Sequence, residues 1–200
     1  MKTDSKLKEI FALNGGILKT ADLHKANYYY NDIKRLMEQG TIEKIRYGYY
    51  LWVSDEEYPS EIQMIQKLFP DVILCMNTAL FHYGYIDRVP TEWHLSVDKD
   101  STKSRFRIEY PAVKPYYIAL NYLKVGLTND LMDGVRVRIY NKERLICDCL
   151  KRHTRMDREL FNKALQAYIR DPGKDIARLM KYAKIFRLEK TVRNMIGVWL

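Results

Sequence analysis

Cysteine is scarce in this chain of 200 residues, limited to Cys75, Cys147 and Cys149. Three thiols fit a reducing compartment better than a disulfide framework. Long apolar runs are missing as well, and none approaches the roughly 20 residues that cross a bilayer. The opening stretch, MKTDSKLKEIF, is charged and has no signal-peptide apolar region, so a cytoplasmic location without membrane attachment is expected. Internal repeats and low-complexity segments are absent. The four histidines (His24, His82, His94 and His153) are scattered, and His82 reads as a packed or surface residue. Cys147 and Cys149 on a predicted helix diverge by about 200°, at 100° per residue, and cannot easily share one ion. No G-x-S-x-G, P-loop or dinucleotide fingerprint occurs. Asp71, Asp87, Glu92 and Asp98 lack the E-x-K that a metal-dependent nuclease would add, and Glu43-Lys44 belongs to a hairpin. The expectation is a protein that is not an enzyme, with no cofactor and no metal.

What is present is an ordinary globular composition, 47% hydrophobic and 30% charged, with a net charge of +9. That charge is uneven. Residues 1–50 hold 9 basic against 6 acidic side chains, residues 51–140 hold 10 against 12, and residues 141–200 hold 15 against 7. Basic ends around a slightly acidic middle suit contact with a polyanion.

Periodicity divides the chain in two. Residues 5–14 predict a helix with Ser5 as cap and an apolar stripe of Leu7, Ile10, Phe11 and Leu13, stopped by Asn14-Gly15-Gly16. A short extended piece follows, then a two-turn helix capped by Thr20, a third helix ending at Gly40, and a hairpin TIEKI-RYG-YYLWV. This order is that of a winged helix-turn-helix, assigned to residues 1–54. An acidic, proline-containing linker is placed at 54–61. Residues 60–200 predict a mixed α/β domain with strands at DVILCM, EWHLSVD, RFRIEYPA and VRVRIYN. Its helical C-terminal part starts at Glu143 and includes ERLICDCLKRH, whose first turn, Glu143 and Arg144, is expected in solvent. The fold class is therefore α+β.

Helical phase sorts the tyrosines of NYYYNDIKRLMEQG. With Tyr29 as N-cap, Asp32 is N3 beside free amides, and Tyr28 and Ile33 form the apolar pair that staples a helix start. Starting at Asn27 instead would lose both features. Ile33, Leu36 and Met37 then face inward, while Tyr30 and Asn31 occupy the exposed first turn, the part of a recognition helix that reaches base edges. Asn31 suits adenine, Tyr30 a phosphate or a thymine methyl, and Lys34 and Arg35 phosphates. At the hairpin tip Arg46 and Tyr47 flank Gly48 and suit the sugar–phosphate backbone, while Tyr50 and Trp52 read as core.

These residues resemble the AbiEi antitoxins of type IV toxin–antitoxin systems. The matching features are Gly15, Gly16 and Thr20 at the first turn, Arg35, Leu36 and Gly40 on the third helix, and Gly48 and Tyr50 in the hairpin. NTALFHYGYIDRVP (77–90) and ERLICDCLKR (143–152) extend the likeness through the second half. Tyr29 stands where the family commonly has serine, and Leu145 where it has threonine. The resemblance implies an autorepressor that binds inverted repeats in promoter DNA and counters a neighbouring nucleotidyltransferase toxin. The toxin-countering role falls to the second half, where Lys151, Arg152 and Arg155 form the densest basic patch. A stand-alone regulator whose second domain senses a ligand or oligomerises is the alternative.

Overall fold

The computed structural model describes residues 4–53 and 58–197. Of the linker expected over 54–61, residues 54–57 lie outside that set, as do residues 198–200 of the last predicted helix. The class is α+β, with ten α-helices, one 3₁₀ turn and two sheets among the described residues. Contacts divide the chain into two compact units: Met1–Pro70 with Lys103–Pro111, and Asp71–Thr102 with Ala112–Leu200. Among the described residues no helix is long and apolar enough to cross a membrane.

The first unit contains α1 (Asp4–Leu13), β1 (Ile17–Lys19), α2 (Thr20–Lys25), α3 (Tyr30–Glu38), β2 (Ile42–Arg46), β3 (Tyr49–Trp52) and α4 (Glu61–Leu68). Its strands pair antiparallel in the order β1-β3-β2. Three successive helices stop by one device. Gly15, Asn27 and Gly40 take left-handed φ values of 68°, 64° and 69°. The next amide in each case, that of Gly16, Tyr28 or Thr41, then donates back to Phe11, Leu23 or Leu36, capping carbonyls a helix end leaves open. Two expected caps move. Ser5 lies inside α1, which already begins at Asp4. Thr20 is the first residue of α2, whose cap is Lys19, because β1 runs in register with Tyr49 up to that residue. The core gathers Leu7, Phe11, Leu23, Tyr28, Ile33 and Leu36, with Tyr50 and Trp52 packed against it as expected. Each such side chain contributes about 1.5–3 kcal/mol when fully buried.

The second unit contains β4 (Ile73–Leu74), α5 (Met76–His82), β5 (Trp93–Asp98), β6 (Val113–Ile118), α6 (Leu120–Leu123), β7 (Leu127–Met132), β8 (Val135–Tyr140), α7 (Lys142–Arg152), α8 (Arg158–Arg170), α9 (Ile176–Phe186) and α10 (Glu189–Ile196). Its mixed sheet runs β6-β5-β4-β8-β7, parallel at β4/β8 and β5/β6. The strand expected at RFRIEYPA is a 3₁₀ turn, Lys103–Phe106, followed by loop, and it groups with the first unit. There the Phe106 ring stacks on Phe69 at 5.1 Å instead of facing a sheet.

Helix α7 corrects another expectation. Glu143 and Arg144 are not in solvent, with 2% and 1% of their surfaces exposed. The cap is Asn141, whose Oδ1 accepts the Arg144 amide at 3.0 Å. Periodicity along one helix cannot register that elements distant in sequence cover both faces. The Arg144 guanidinium donates from Nε to Asp148 at 2.9 Å and from Nη1 to the carbonyls of Tyr122 and Val125 at 2.7 and 2.6 Å. It lies 4.1 Å from the centroid of the Tyr140 ring and 4.4 Å from that of Phe186. Gly126, at φ 76°, has no room for a side chain, because a Cβ there would collide with that of Arg144.

His94 generates a pH prediction. It is buried on β5 and its Nδ1 lies 3.0 Å from the Tyr116 hydroxyl. Burial, reinforced by Lys114, pulls its pKa down from 6.5 to about 4. The unfolded chain therefore binds the proton more readily between those values, and stability falls with pH across that window. Urea unfolding should show a loss of about 2 kcal/mol between pH 7 and pH 5 from this group alone, at about 1.4 kcal/mol per pKa unit. In His94→Gln the same comparison should lose well under half as much. An undiminished loss would assign the acid sensitivity elsewhere.

Candidate nucleic-acid interface

The elements that position the candidate residues are α2, the turn Ala26–Tyr29 and α3. Tyr28 is the hinge of that arrangement. Its amide closes the end of α2 on Leu23 at 2.9 Å, and its side chain is buried with Ile33, the first apolar residue inside α3. Asn27 therefore ends α2 and does not start α3. The N-cap of α3 is Tyr29, whose amide donates to Asp32 Oδ2 at 3.1 Å. The reciprocal bond of a capping box needs a short hydroxyl or carboxylate side chain at the cap, and a tyrosine does not supply it. Its ring instead packs against His24 on α2, with centroids 5.6 Å apart.

With Ile33 and Leu36 turned inward, Tyr30, Asn31, Lys34 and Arg35 share an exposed arc of about 140°, at 100° per residue. Tyr30 is 76% exposed. Met37, expected inside, sits at the rim with 37% exposed. Lys34 reaches Glu38 at 3.8 Å and Arg35 reaches Asp32 at 3.9 Å. Both pairs are long and solvent-exposed, a class worth about 0–1 kcal/mol, so either cation can exchange its partner for a phosphate at little cost.

The hairpin behaves differently from expectation at one residue. Tyr47 forms the tip with Gly48 and is 89% exposed, with Lys44 5.5 Å from its ring centroid. Arg46 is not an outward cation. The β2/β3 register shifts between Lys44 and Arg46, so Ile45 is an extra residue on its strand. Beyond this bulge the guanidinium lies 4.3 Å from the Tyr49 ring centroid and donates to the carbonyls of Leu68 and Arg105 at 3.2 and 3.3 Å. Bulges of this kind re-aim side chains, and strand alternation alone gave no sign of one.

In the second unit the expected basic patch is also divided. Lys151 and Arg155 are exposed, but Arg152 is half-buried with its guanidinium 4.7 Å from the Tyr116 ring centroid. A larger basic array escaped the initial reading. Arg178, Lys181, Lys184, Arg187, Lys190 and Arg193 recur every third residue along α9 and α10 and are all exposed. Arg178 is paired with Glu143 and Asp175. The other five make no ion pair with the described residues. Their regular spacing was visible in the sequence and would have been found by scanning charge period instead of charge density.

Among the described residues no group of three or more His, Cys, Asp or Glu side chains is placed to hold a metal ion. The three cysteines are buried, and burial pushes the Cys75 and Cys147 thiols up to about 12. No protein-family model matches the chain, and no curated protein matches it.

The double placement of Tyr28 generates a prediction. Tyr28→Ala should destabilise the first unit by about 3 kcal/mol, as expected for truncating a buried aromatic. Thermal or urea unfolding checks this. An unchanged melting temperature would remove Tyr28 from the core and put it on the outer face.

Proposed function

We propose that the chain is a DNA-binding repressor whose first unit is a winged helix-turn-helix, and that it acts as the antitoxin of a type IV toxin–antitoxin pair. The observation that carries the first part is the α3 arc. Tyr30, Asn31, Lys34 and Arg35 stand exposed together on a helix whose opposite side is committed to the core, next in sequence to a hairpin tipped by Tyr47. Such an arc can enter a major groove with Asn31 toward a base edge while its cations meet phosphates. The antitoxin role is supported by the resemblance of residues 15–50, 77–90 and 143–152 to the AbiEi family. The inverted-repeat promoter and the neighbouring nucleotidyltransferase toxin are the partners that it implies.

Binding of a labelled duplex from the region upstream of the coding sequence tests the repressor reading. Each phosphate neutralised contributes about −0.9 to the slope of log K against log salt. Engagement of three of Lys25, Lys34, Arg35 and Lys44 should give a slope near −3 for each first unit bound, by the same rule. Asn31→Ala should cost roughly 1–3 kcal/mol on the preferred sequence and little on scrambled DNA, whereas Arg35→Ala should weaken both alike. A slope indistinguishable from zero would sink DNA binding.

Antitoxicity is tested by co-expression with a nucleotidyltransferase encoded beside this chain. Reversing Lys151 and Arg155 to glutamate should abolish rescue while duplex affinity falls less than about tenfold, as expected for residues outside the unit that carries α3 and the hairpin. Rescue kept with repression lost would assign the patch to DNA. The same reversal at Lys184 and Lys190 shows whether the α9–α10 array shares the task.

A further inference from the structure

A guanidinium presents five donors in a flat fork and no acceptor, so its surroundings tell what it is for. Arg46 Nη1 bonds two backbone carbonyls at once, those of Leu68 and Arg105. Leu68 is the last residue of α4, and its carbonyl is one of the four that a helix end leaves without an internal partner. That end also carries the negative pole of the helix dipole, which favours a cation. The guanidinium lies near two rings, with centroids at 4.3 Å for Tyr49 and 5.2 Å for Phe69. Phe69 stacks on Phe106, with an interplanar angle of 18°, and the Arg105 guanidinium lies 5.1 Å from the Phe106 ring centroid. Three stretches far apart in sequence are joined there: the hairpin, the end of α4 and the 3₁₀ turn at 103–106.

We propose that Arg46 is a positioning residue that fixes the β2–β3 turn and does not itself hold a phosphate. The part that concerns DNA rests on the repressor reading above. Strand β2 is the edge of the three-stranded sheet, and the Tyr47–Gly48 turn stands at the end of its ladder, held on the β3 side by the Thr20 amide, which donates to the Gly48 carbonyl at 3.0 Å. A tip that must meet a nucleic-acid backbone while α3 occupies a groove gains affinity from being held at one angle beforehand, because less freedom is lost on binding. On the β2 side Arg46 supplies that hold through two carbonyls and two rings. Lys44 and Tyr47, which point outward, are left to make the contact.

Arg46→Lys and Arg46→Ala in the full chain separate positioning from contact. Lysine keeps the charge but cannot reproduce a flat, stacked fork. Both variants should raise amide exchange at Tyr49, which pairs with residue 46, and at Thr20, whose amide donates to the Gly48 carbonyl, by about tenfold or more, the loss expected for bonds made by a charged donor. Both should weaken binding of the labelled upstream duplex while leaving its salt slope unchanged. A phosphate contact gives the opposite pattern: lysine binds nearly as wild type, and alanine makes the slope shallower by about 0.9. That pattern overturns the proposal. So does unchanged exchange in both variants, whatever the DNA result. A wild-type chain that binds neither upstream nor scrambled duplex removes the repressor reading, and the clamp then stands or falls on exchange alone. Melting curves confirm that each variant is folded when measured.

Discussion

A positive charge held out of water organises the second unit. Burying an ion costs several kcal/mol unless its partners are close and complete, so every group around Arg144 is constrained to stay. Asp148 supplies the countercharge from the next turn of α7, and the carbonyls of Tyr122 and Val125 come from α6 and the turn after it. Tyr140 brings in the end of β8 and Phe186 the end of α9. Asn141 fixes the start of α7 on the Arg144 amide and also donates to the Tyr182 hydroxyl on α9 at 3.2 Å. One residue before Arg144, Glu143 is buried too, accepting the Asp175 amide at 3.0 Å and meeting Arg178 at 3.6 Å. Helix α7 is thus fixed by polar bonds at its first turn and by apolar packing of Leu145, Ile146, Cys149 and Leu150 along its length.

The first unit solves its assembly with less chemistry. Its joint is Tyr28, which ends one helix with its backbone and helps start the next with its side chain. Because that residue settles how α2 leads into α3, it also settles which side of α3 faces outward. The exposed arc follows from the core. No separate device is needed to present Tyr30, Asn31, Lys34 and Arg35 together, only Ile33 and Leu36 kept inside.

Much of this was legible in the sequence where the controlling interaction is local. The N-cap frame at Tyr29, the Gly40 stop, the hairpin around Gly48 and the four C-terminal helices each depend on residues within one or two turns. What escaped depends on distant partners. Arg46 looked like a tip cation because neither the bulge at Ile45 nor the carbonyls of Leu68 and Arg105 can be read from the hairpin itself. Glu143 and Arg144 looked solvated because their partners lie up to 42 residues away, at Phe186 in the case of Arg144. Strand β6 went unread, and its Pro115 is tolerated because at the edge of a sheet the missing amide costs no ladder bond. RFRIEYPA alternates like a strand, but Phe106 finds an aromatic partner in Phe69.

Three of the cations that turned inward share one chemistry. Arg46, Arg144 and Arg152 are all arginines, and each has its guanidinium close to an aromatic ring. Stacking and the flat fork are the properties that lysine lacks. The unpaired array on α9 and α10 mixes the two types, with lysine at 181, 184 and 190 and arginine at 187 and 193. Attraction to a screened polyanion needs charge at a position and little geometry. A mixed series is what such a surface tolerates, while inside a lysine also serves where one carboxylate is the partner, as at Lys142, whose ammonium lies 2.6 Å from Asp171. Arginine is thus used inside where carbonyls and rings must be met together, at Arg46 and Arg144, and lysine where a single carboxylate suffices, at Lys142.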